Sequence, residues 1–507
     1  MHGKRVINNS IIGFAFKMFM LVIGFVSRKI FIVFLGEEVL GLNSLYSNLL
    51  DLLNLADLGI GVAVQYQLYG PLVQKDYLKQ SKILSAAKKL YNFIGFCVLI
   101  SGIIISFFIR YLIKETTYPI SFVRTSFLIS VIGVSLGYFF VHKRLFLNAD
   151  EKLGLVNIID LCSKVGITVL SLILTMIFKN YFLYLIINAS YSIIANIIIH
   201  FVFKKRYPKI VSNIKDISVE KKELTADLRN VIPMKFSNYI YKSTDYVIVS
   251  KVIGLVTVAR YSNYMTIING IMSIEYLIGN VFSPSIGKII KENKESNEVY
   301  KYYLLYQYIH FIFTNFCTFS LTLVFVPFIS LWMGVDSLLE PYIMGLLILN
   351  FFIHSMYQPA YVMFGATGKF KDDKYITIIS GILNIVISLI AVNFIGLSGV
   401  IIGTIVTDIY IWVVRTYQII GRFFNQSLKK YIFLMLKYVC ISLICVFFSV
   451  LFSKYLSFNN TLWELIIKIM ISLVFPNVIS LFATCNSSEF KSIKNIVFRK
   501  FSIKIKQ

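Results

Sequence analysis

Two adjacent cations, Arg28 and Lys29, interrupt the first apolar segment, between the runs Met18–Val26 and Ile30–Leu35. A charge at the centre of a spanning helix costs about 2.5–3.5 kcal/mol on insertion scales, so a polar lumen, an anionic ligand or a route to water must offset it. Lys17 lies eleven residues before Arg28, about three helical turns, so the two share one helix face. Lys29 is rotated from Arg28 by about 100° and is better placed to snorkel towards Glu37 and Glu38. A later segment repeats the pattern: Lys235 and Lys242 are seven apart, and Asp245 follows three further on. The segment after that carries Arg260 and Glu275, and the second segment of the chain carries Asp51 and Asp57. Cationic stripes of this kind suit a phosphate-bearing ligand, which arginine grips with paired donors. The candidate binding set is therefore Arg28, Lys17, Lys29, Lys235, Lys242 and Arg260. Asp245 is a candidate for the same lumen-facing stripe. Asp160–Lys164, Asp408–Arg415 and Glu464–Lys468 are expected to be structural ion pairs, the first and last at i,i+4 spacing.

Other reactive residue types do not gather. Gly365-Ala366-Thr367-Gly368-Lys369 resembles a phosphate loop only superficially, because the required spacing and the Ser/Thr after lysine are missing. The five histidines have no metal-ligand spacing. The six cysteines (Cys97, Cys162, Cys317, Cys440, Cys445 and Cys485) lie in or beside apolar segments without a Cys-x-x-Cys pair. No nucleophile–base set and no paired carboxylates stand out. The expectation is a non-enzyme with no cofactor and no metal.

The elements that must carry the stripes are membrane helices. Of 507 residues 57% are hydrophobic, and mean hydropathy is +0.75. Runs of about twenty apolar residues, long enough to cross a bilayer core, recur over nearly the whole chain. They fall at about 9–35, 41–65, 83–109, 120–141, 153–178, 181–203, 231–254, 256–283, 302–327, 341–364, 375–395, 399–420, 432–454 and 462–483, fourteen in all. The first is too long for a signal-peptide core and lacks a small-residue cleavage site, so it is read as retained. The net charge of +25 is concentrated in loops at alternate helix ends. That placement follows the positive-inside rule, points to anionic lipid headgroups and argues against nucleic acid. It puts both termini, and the connector with its eight basic residues between Lys204 and Arg229, in the cytoplasm. The segment 110–119, with Arg110 and Lys114, is the one outer loop against the trend.

The chain also repeats itself. Tyr46-Ser47-Asn48 recurs as Tyr261-Ser262-Asn263, 215 residues later. Each triplet follows a glycine-bearing hinge (Gly41; Gly254) and precedes an apolar helix with a proline near its inner end (Pro71; Pro284). Six segments precede the connector and six follow it, so the halves read as parallel repeats of the kind that rock against each other in transporters. The expected fold is an all-α polytopic membrane protein of two six-helix lobes plus two extra helices. The expected divisions are 1–203, a connector 204–230, 231–420, and 421–507 with a basic tail.

Several stretches resemble the amino-terminal signature of Wzx-type bacterial polysaccharide flippases. They are Arg28-Lys29-Ile30-Phe31, Leu40-Gly41-Leu42-Asn43-Ser44-Leu45-Tyr46, Leu53-Asn54-Leu55-Ala56-Asp57-Leu58-Gly59 and Leu68-Tyr69-Gly70-Pro71. Lys242-Ser243-Thr244-Asp245-Tyr246, with Tyr261-Ser262-Asn263, resembles the start of that family's second lobe. Gly396-Leu397-Ser398-Gly399-Val400 with Gly403-Thr404 is similar to its eleventh-to-twelfth helix turn. The superfamily also holds MATE-type multidrug extruders and peptidoglycan-precursor flippases. The resemblance implies alternating access around a cationic cavity in the bacterial cytoplasmic membrane. Its substrate would be an undecaprenyl-pyrophosphate-linked oligosaccharide for capsule, exopolysaccharide or O-antigen. Arg28 or Lys242 would then meet the pyrophosphate, and Asp57 or Asp245 would balance charge or bind a coupling cation. Implied partners are membrane lipids and the polymerase and other surface-polysaccharide assembly proteins, and the chain is expected to be a monomer. Two alternatives stay open: a MATE-like drug/cation antiporter, which would want an acidic lumen, and a membrane polysaccharide polymerase, which would want a large external loop.

Overall fold

The computed structural model describes residues 2–53, 60–222, 224, 243–291, 296–367, 370–456, 458 and 460–495, without the side chains of 2–18, 62, 280, 281, 284, 285, 288, 291, 296 and 370–374. The chain is an all-α polytopic membrane protein. Among the described residues, ten helices are long and apolar enough to cross a membrane. Their outward faces keep large apolar side chains exposed, such as Ile104 and Phe107 or Phe433 and Phe447, as lipid contact requires.

Helix α1 (His2–Leu35) stops at Gly36, whose φ of +87° is the left-handed C-terminal conformation that glycine takes without strain. Helix α2 (Glu37–Leu53) opens with Glu37 and Glu38, carboxylates at the positive end of the helix dipole. After α3 (Ile60–Gln74), α4 (Tyr77–Phe108) begins six residues before the expected span, because the Asp76 carboxylate caps it by accepting the Lys79 N–H at 2.9 Å. Then come α5 (Ile120–Tyr138), the short α6 (His142–Ala149), α7 (Leu153–Phe178) and α8 (Tyr181–Arg206). The apolar periodicity does not foretell α6, which has only eight residues.

The second half contains α9 (243–252), α10 (Leu255–Lys291), α11 (Ser296–Met333), α12 (Pro341–Thr367), α13 (Phe370–Ile395) and α14 (Leu397–Thr416). Helix α14 runs on into a π-helical turn, Tyr417–Phe423, and α15 (Leu428–Tyr455) and α16 (Thr461–Thr484) follow.

The chain divides into two compact units, Met1–Ser262 and Asn263–Gln507. The boundary thus falls inside α10, where the sequence reading places it at the connector 204–230. Close packing explains the shift. A Cβ on Gly41 would lie 2.0 Å from the Leu255 carbonyl oxygen, so α2 and the start of α10 meet where only glycine fits. Leu255 and Ala259 share one core with Leu42, Leu45, Tyr46 and Phe127. The two glycine-bearing hinges of the repeat are therefore packed against each other.

The connector is docked as well. Ile210, Ile217 and Leu224 join a second core of the first unit with Leu84, Tyr91, Phe146 and Phe203. The Ser81 and Ser85 hydroxyls of α4 accept the N–H groups of Val211 and Ile214 at 3.2 and 3.0 Å. Its lysine content reads as a solvated loop; its alternate isoleucines bury.

In the second unit α13 and α14 form a tight hairpin. Gly396 turns the chain at φ +59°, and a Cβ on Gly399 would meet the Ala391 backbone at 2.4 Å, which gives the Gly396–Gly403 motif its physical reason. Helices α15 and α16 pack on α11: Phe311 stacks on Tyr438 at 4.0 Å, and Asn315 donates to Ser480 at 2.7 Å. The last two helices share the core of the second unit and do not form a separate appendage.

Candidate functional site

Arg28 lies near the extracytoplasmic end expected for α1, and its Nη1 donates to Ser262 Oγ at 2.9 Å. Ser262 Oγ also accepts from Ser44 Oγ at 3.0 Å and donates to the Ala259 carbonyl at 2.8 Å. One hydroxyl thereby joins α1, α2 and α10 within the first unit. The rings of Tyr184 and Tyr246 lie within electrostatic reach of the guanidinium, and Tyr184 shares a hydrogen bond with Ser27. Phe31, one turn on, packs edge-on against Tyr181 and Tyr184 with centroids at 5.8 and 4.9 Å.

Asp245, buried at 5% exposure on α9, accepts a hydrogen bond from Tyr261, and Tyr261 and Tyr246 pack at 5.2 Å. Asp51 lies within electrostatic reach of Tyr246. The fold thus brings Arg28, Asp245 and Asp51 around one group of tyrosines. Such a cluster carries a cation with geometric donors, a balancing carboxylate and phenols that can hydrogen-bond a ligand.

The other expected site residues are distributed differently. Lys29 is exposed. Arg260 faces Glu37, Nε–Oε1 and Nη2–Oε2 both at 3.5 Å, so it closes an ion pair where α2 and α10 begin. Glu38 is taken by Thr117, whose N–H and hydroxyl donate at 2.8 and 2.6 Å and pin the loop before α5. Burial alone would raise the Glu38 carboxyl, but the hydrogen bonds from Thr116 and Thr117 outweigh it and hold the group below its ordinary value. Lys235, Lys242 and Asp57 lie outside the described residues, as does the side chain of Lys17.

Of the expected i,i+4 structural pairs, one forms and the other, Asp160–Lys164, does not. Glu464–Lys468 forms at 2.5 Å. Asp160 pairs with Arg144 of α6, and Lys164 instead places its ammonium 4.8 Å from the centre of the Tyr191 ring. The i,i+4 spacing is compatible with a pair, but Arg144 approaches from another helix with a longer, forked side chain. In the second unit, fully buried Asp408 accepts from Asn350 at 3.2 Å and lies 3.4 Å from His354 Nδ1, which Tyr357 meets at 2.9 Å.

A cavity of about 720 Å³ opens within the first unit between α2, α5, α7 and α8. Its wall on α8 is a polar stripe, Tyr184, Asn188, Ser192 and Asn196, spaced every four residues. Asn43 and Ser47 face it from α2, and Arg144 and Lys164 stand in its lining. Close helix approach builds its floor. A Cβ on Gly133 would lie 2.4 Å from that of Ala189, and one on Gly137 would lie 3.1 Å from Ser192 Oγ. Sequence reading by charge misses this stripe and misses Ser44, Ser262 and Tyr184. The four-residue polar period in an otherwise apolar helix was the available signal.

No protein-family model matches the chain. No curated protein matches it by sequence. Among solved structures it is similar to the lipid II flippase MurJ in an inward closed conformation, with a TM-score of 0.68 at 16% identity, over 94% of this chain and 99% of that one. It is also similar to a multidrug resistance MATE family transporter of the MOP superfamily in an inward-facing conformation, at 0.63 and 16%, over 81% and 98%. A third is a MOP superfamily transporter from Pyrococcus furiosus, described as having a binding pocket of reverse polarity, at 0.55 and 14%, over 83% and 95%. The chain has the fold of these two-lobed transporters.

Proposed function

We propose that the protein is a flippase that moves undecaprenyl-pyrophosphate-linked oligosaccharide across the bacterial cytoplasmic membrane, for capsule, exopolysaccharide or O-antigen assembly. The observation that carries the reading is Arg28: a cation in a spanning helix, held by Ser262, with tyrosines around it and a hydroxyl- and amide-lined cavity beside Tyr184. Paired guanidinium donors suit pyrophosphate, and such a cavity suits sugar. The lipid tail would remain in the bilayer while the polar head passes through by alternating access. In this reading Lys17, Lys29, Lys235, Lys242 and Arg260 supplement the cationic surface, and Asp57 and Asp245 balance charge or bind a coupling cation. The chain works as a monomer with both termini cytoplasmic, receives substrate from the lipid phase and hands it to the polymerase and assembly proteins.

The MATE-type fold makes a drug/cation antiporter the competing reading; the excess of cations over carboxylates in the candidate set argues against it. The polymerase reading has only short outer segments to work with.

Replacing Arg28 with Ala is expected to abolish surface polysaccharide at unchanged protein level and membrane insertion. Normal polysaccharide in that strain, or drug sensitivity on loss of the chain with polysaccharide intact, would overturn the flippase reading.

A further inference from the structure

We infer that the cavity of the first unit is a subsite for an acidic sugar, a hexose carrying a carboxylate, seated with that carboxylate on Lys164. The inference rests on the flippase reading and specifies which part of the head group this unit receives.

The stripe on α8 runs from Tyr184 to Asn196, twelve residues, or about 18 Å at 1.5 Å per residue. Amides and hydroxyls both donate and accept, which is what sugar hydroxyls need. Tyrosine rings at Tyr184 and Tyr191 offer flat faces for the C–H side of a pyranose. The cavity's 720 Å³ lies within the usual span for small-molecule sites, about 300–1,000 Å³.

Charge narrows the ligand further. Arg144 is neutralised: Asp160 takes Nη1, and the Asn196 carbonyl oxygen accepts from Nε and Nη2 at 3.3 and 3.1 Å. Lys164 forms no ion pair among the described residues and has only the Tyr191 ring at 4.8 Å. A neutral sugar would leave that ammonium uncompensated within a membrane helix, whereas a carboxylate would pair with it. A phosphate is better served by a free guanidinium fork, and the fork in this cavity is already engaged. Tyr184 stands both in the cavity wall and beside Arg28. Phosphate at Arg28 and sugar along α8 therefore suit one elongated head group.

The test is calorimetric titration of the full-length protein in lipid nanodiscs. The probes are a glucuronic acid–glucose disaccharide, its neutral glucose–glucose counterpart and inorganic pyrophosphate. The acidic disaccharide is expected to bind about tenfold tighter than the neutral one. Lys164→Gln should erase that preference, and Asn188→Leu should weaken both. Saturating pyrophosphate should leave acidic-sugar binding intact. Equal affinities, no binding of either sugar, a preference that survives Lys164→Gln, or displacement by pyrophosphate would each overturn the subsite. The titration uses no lipid-linked substrate. It can fail while Arg28→Ala still abolishes export, which separates its failure from that of the flippase reading.

Discussion

At the scale of single residues, the proposed function turns on Arg28 and the hydroxyl that holds it. Ser262 Oγ accepts from Arg28 and Ser44 while donating to Ala259, so it fixes the guanidinium relative to α2 and α10. A hydrogen bond to a charged group contributes about 1.5–3 kcal/mol. Ser262→Ala is expected to reduce head-group export several-fold without abolishing it, because the charge remains but its orientation loosens. Export rates in proteoliposomes check this, and a rate equal to wild type would remove Ser262 from the positioning role. Arg28 and Asp245 were legible as candidates because charges are conspicuous in apolar segments. Ser44, Ser262 and Tyr184 were not, because serine and tyrosine in a membrane helix carry no such mark. Partner choice was equally hidden: Asp160 has Lys164 four residues away and still takes Arg144.

Among the elements, glycines decide how close the helices come. At Gly133 the Ala189 Cβ is 2.4 Å from where a side chain would start, so Gly133→Val would push α5 from α8. Overpacking of this kind costs about 1–3 kcal/mol. The solubilised variant is expected to unfold several degrees below wild type and to lose acidic-sugar binding, both measurable by thermal fluorescence and calorimetry. Helix α6 gives a pH signature. His142 is buried, its two ring nitrogens have no hydrogen-bond partner among the described residues, and burial followed by the charges of Lys143, Lys88 and His200 lowers it from 6.5 to about 3. The neutral ring's contribution is complete above pH 6.5 and is lost as pH falls towards 3, at up to about 1.4 kcal/mol per pH unit. Thermal stability should therefore decline between pH 6.5 and 4.5, with a shallower slope in His142→Leu. Equal slopes would show that another group is responsible. Helix positions were largely readable, since α7 spans Leu153–Phe178 as the apolar run does. Capping by Asp76 and the short α6 lengthened or inserted elements that hydropathy alone does not mark.

For the molecule as a whole, the charge distribution sets orientation. A cysteine at Lys4→Cys, in a chain whose six native cysteines are replaced by serine, is expected to react with an impermeant thiol reagent only from the cytoplasmic side. Labelling from outside intact cells would invert the topology and, with it, the direction of transport assigned here. The two units carry different polar groups. The first holds the Arg28 cluster and the polar cavity. The second holds the buried Asp408–His354–Tyr357 network and the α13–α14 hairpin.

The sequence by itself determined the class: apolar runs of bilayer length, basic loops at alternate ends, and a repeated hinge-and-triplet pattern leave an all-helical, two-lobed membrane protein. These features are one-dimensional, being set by composition and period along the chain. Tertiary structure alone decided that the division falls at Ser262 and that the basic connector docks on α4. It also decided that α15 and α16 belong to the second unit's core and that Tyr184, Asn188, Ser192 and Asn196 of α8 wall a cavity whose Tyr184 lies near Arg28. Each depends on which faces of distant helices meet, and therefore on close approach at glycines and on partners more than a hundred residues apart. Hydropathy and charge spacing do not encode that geometry.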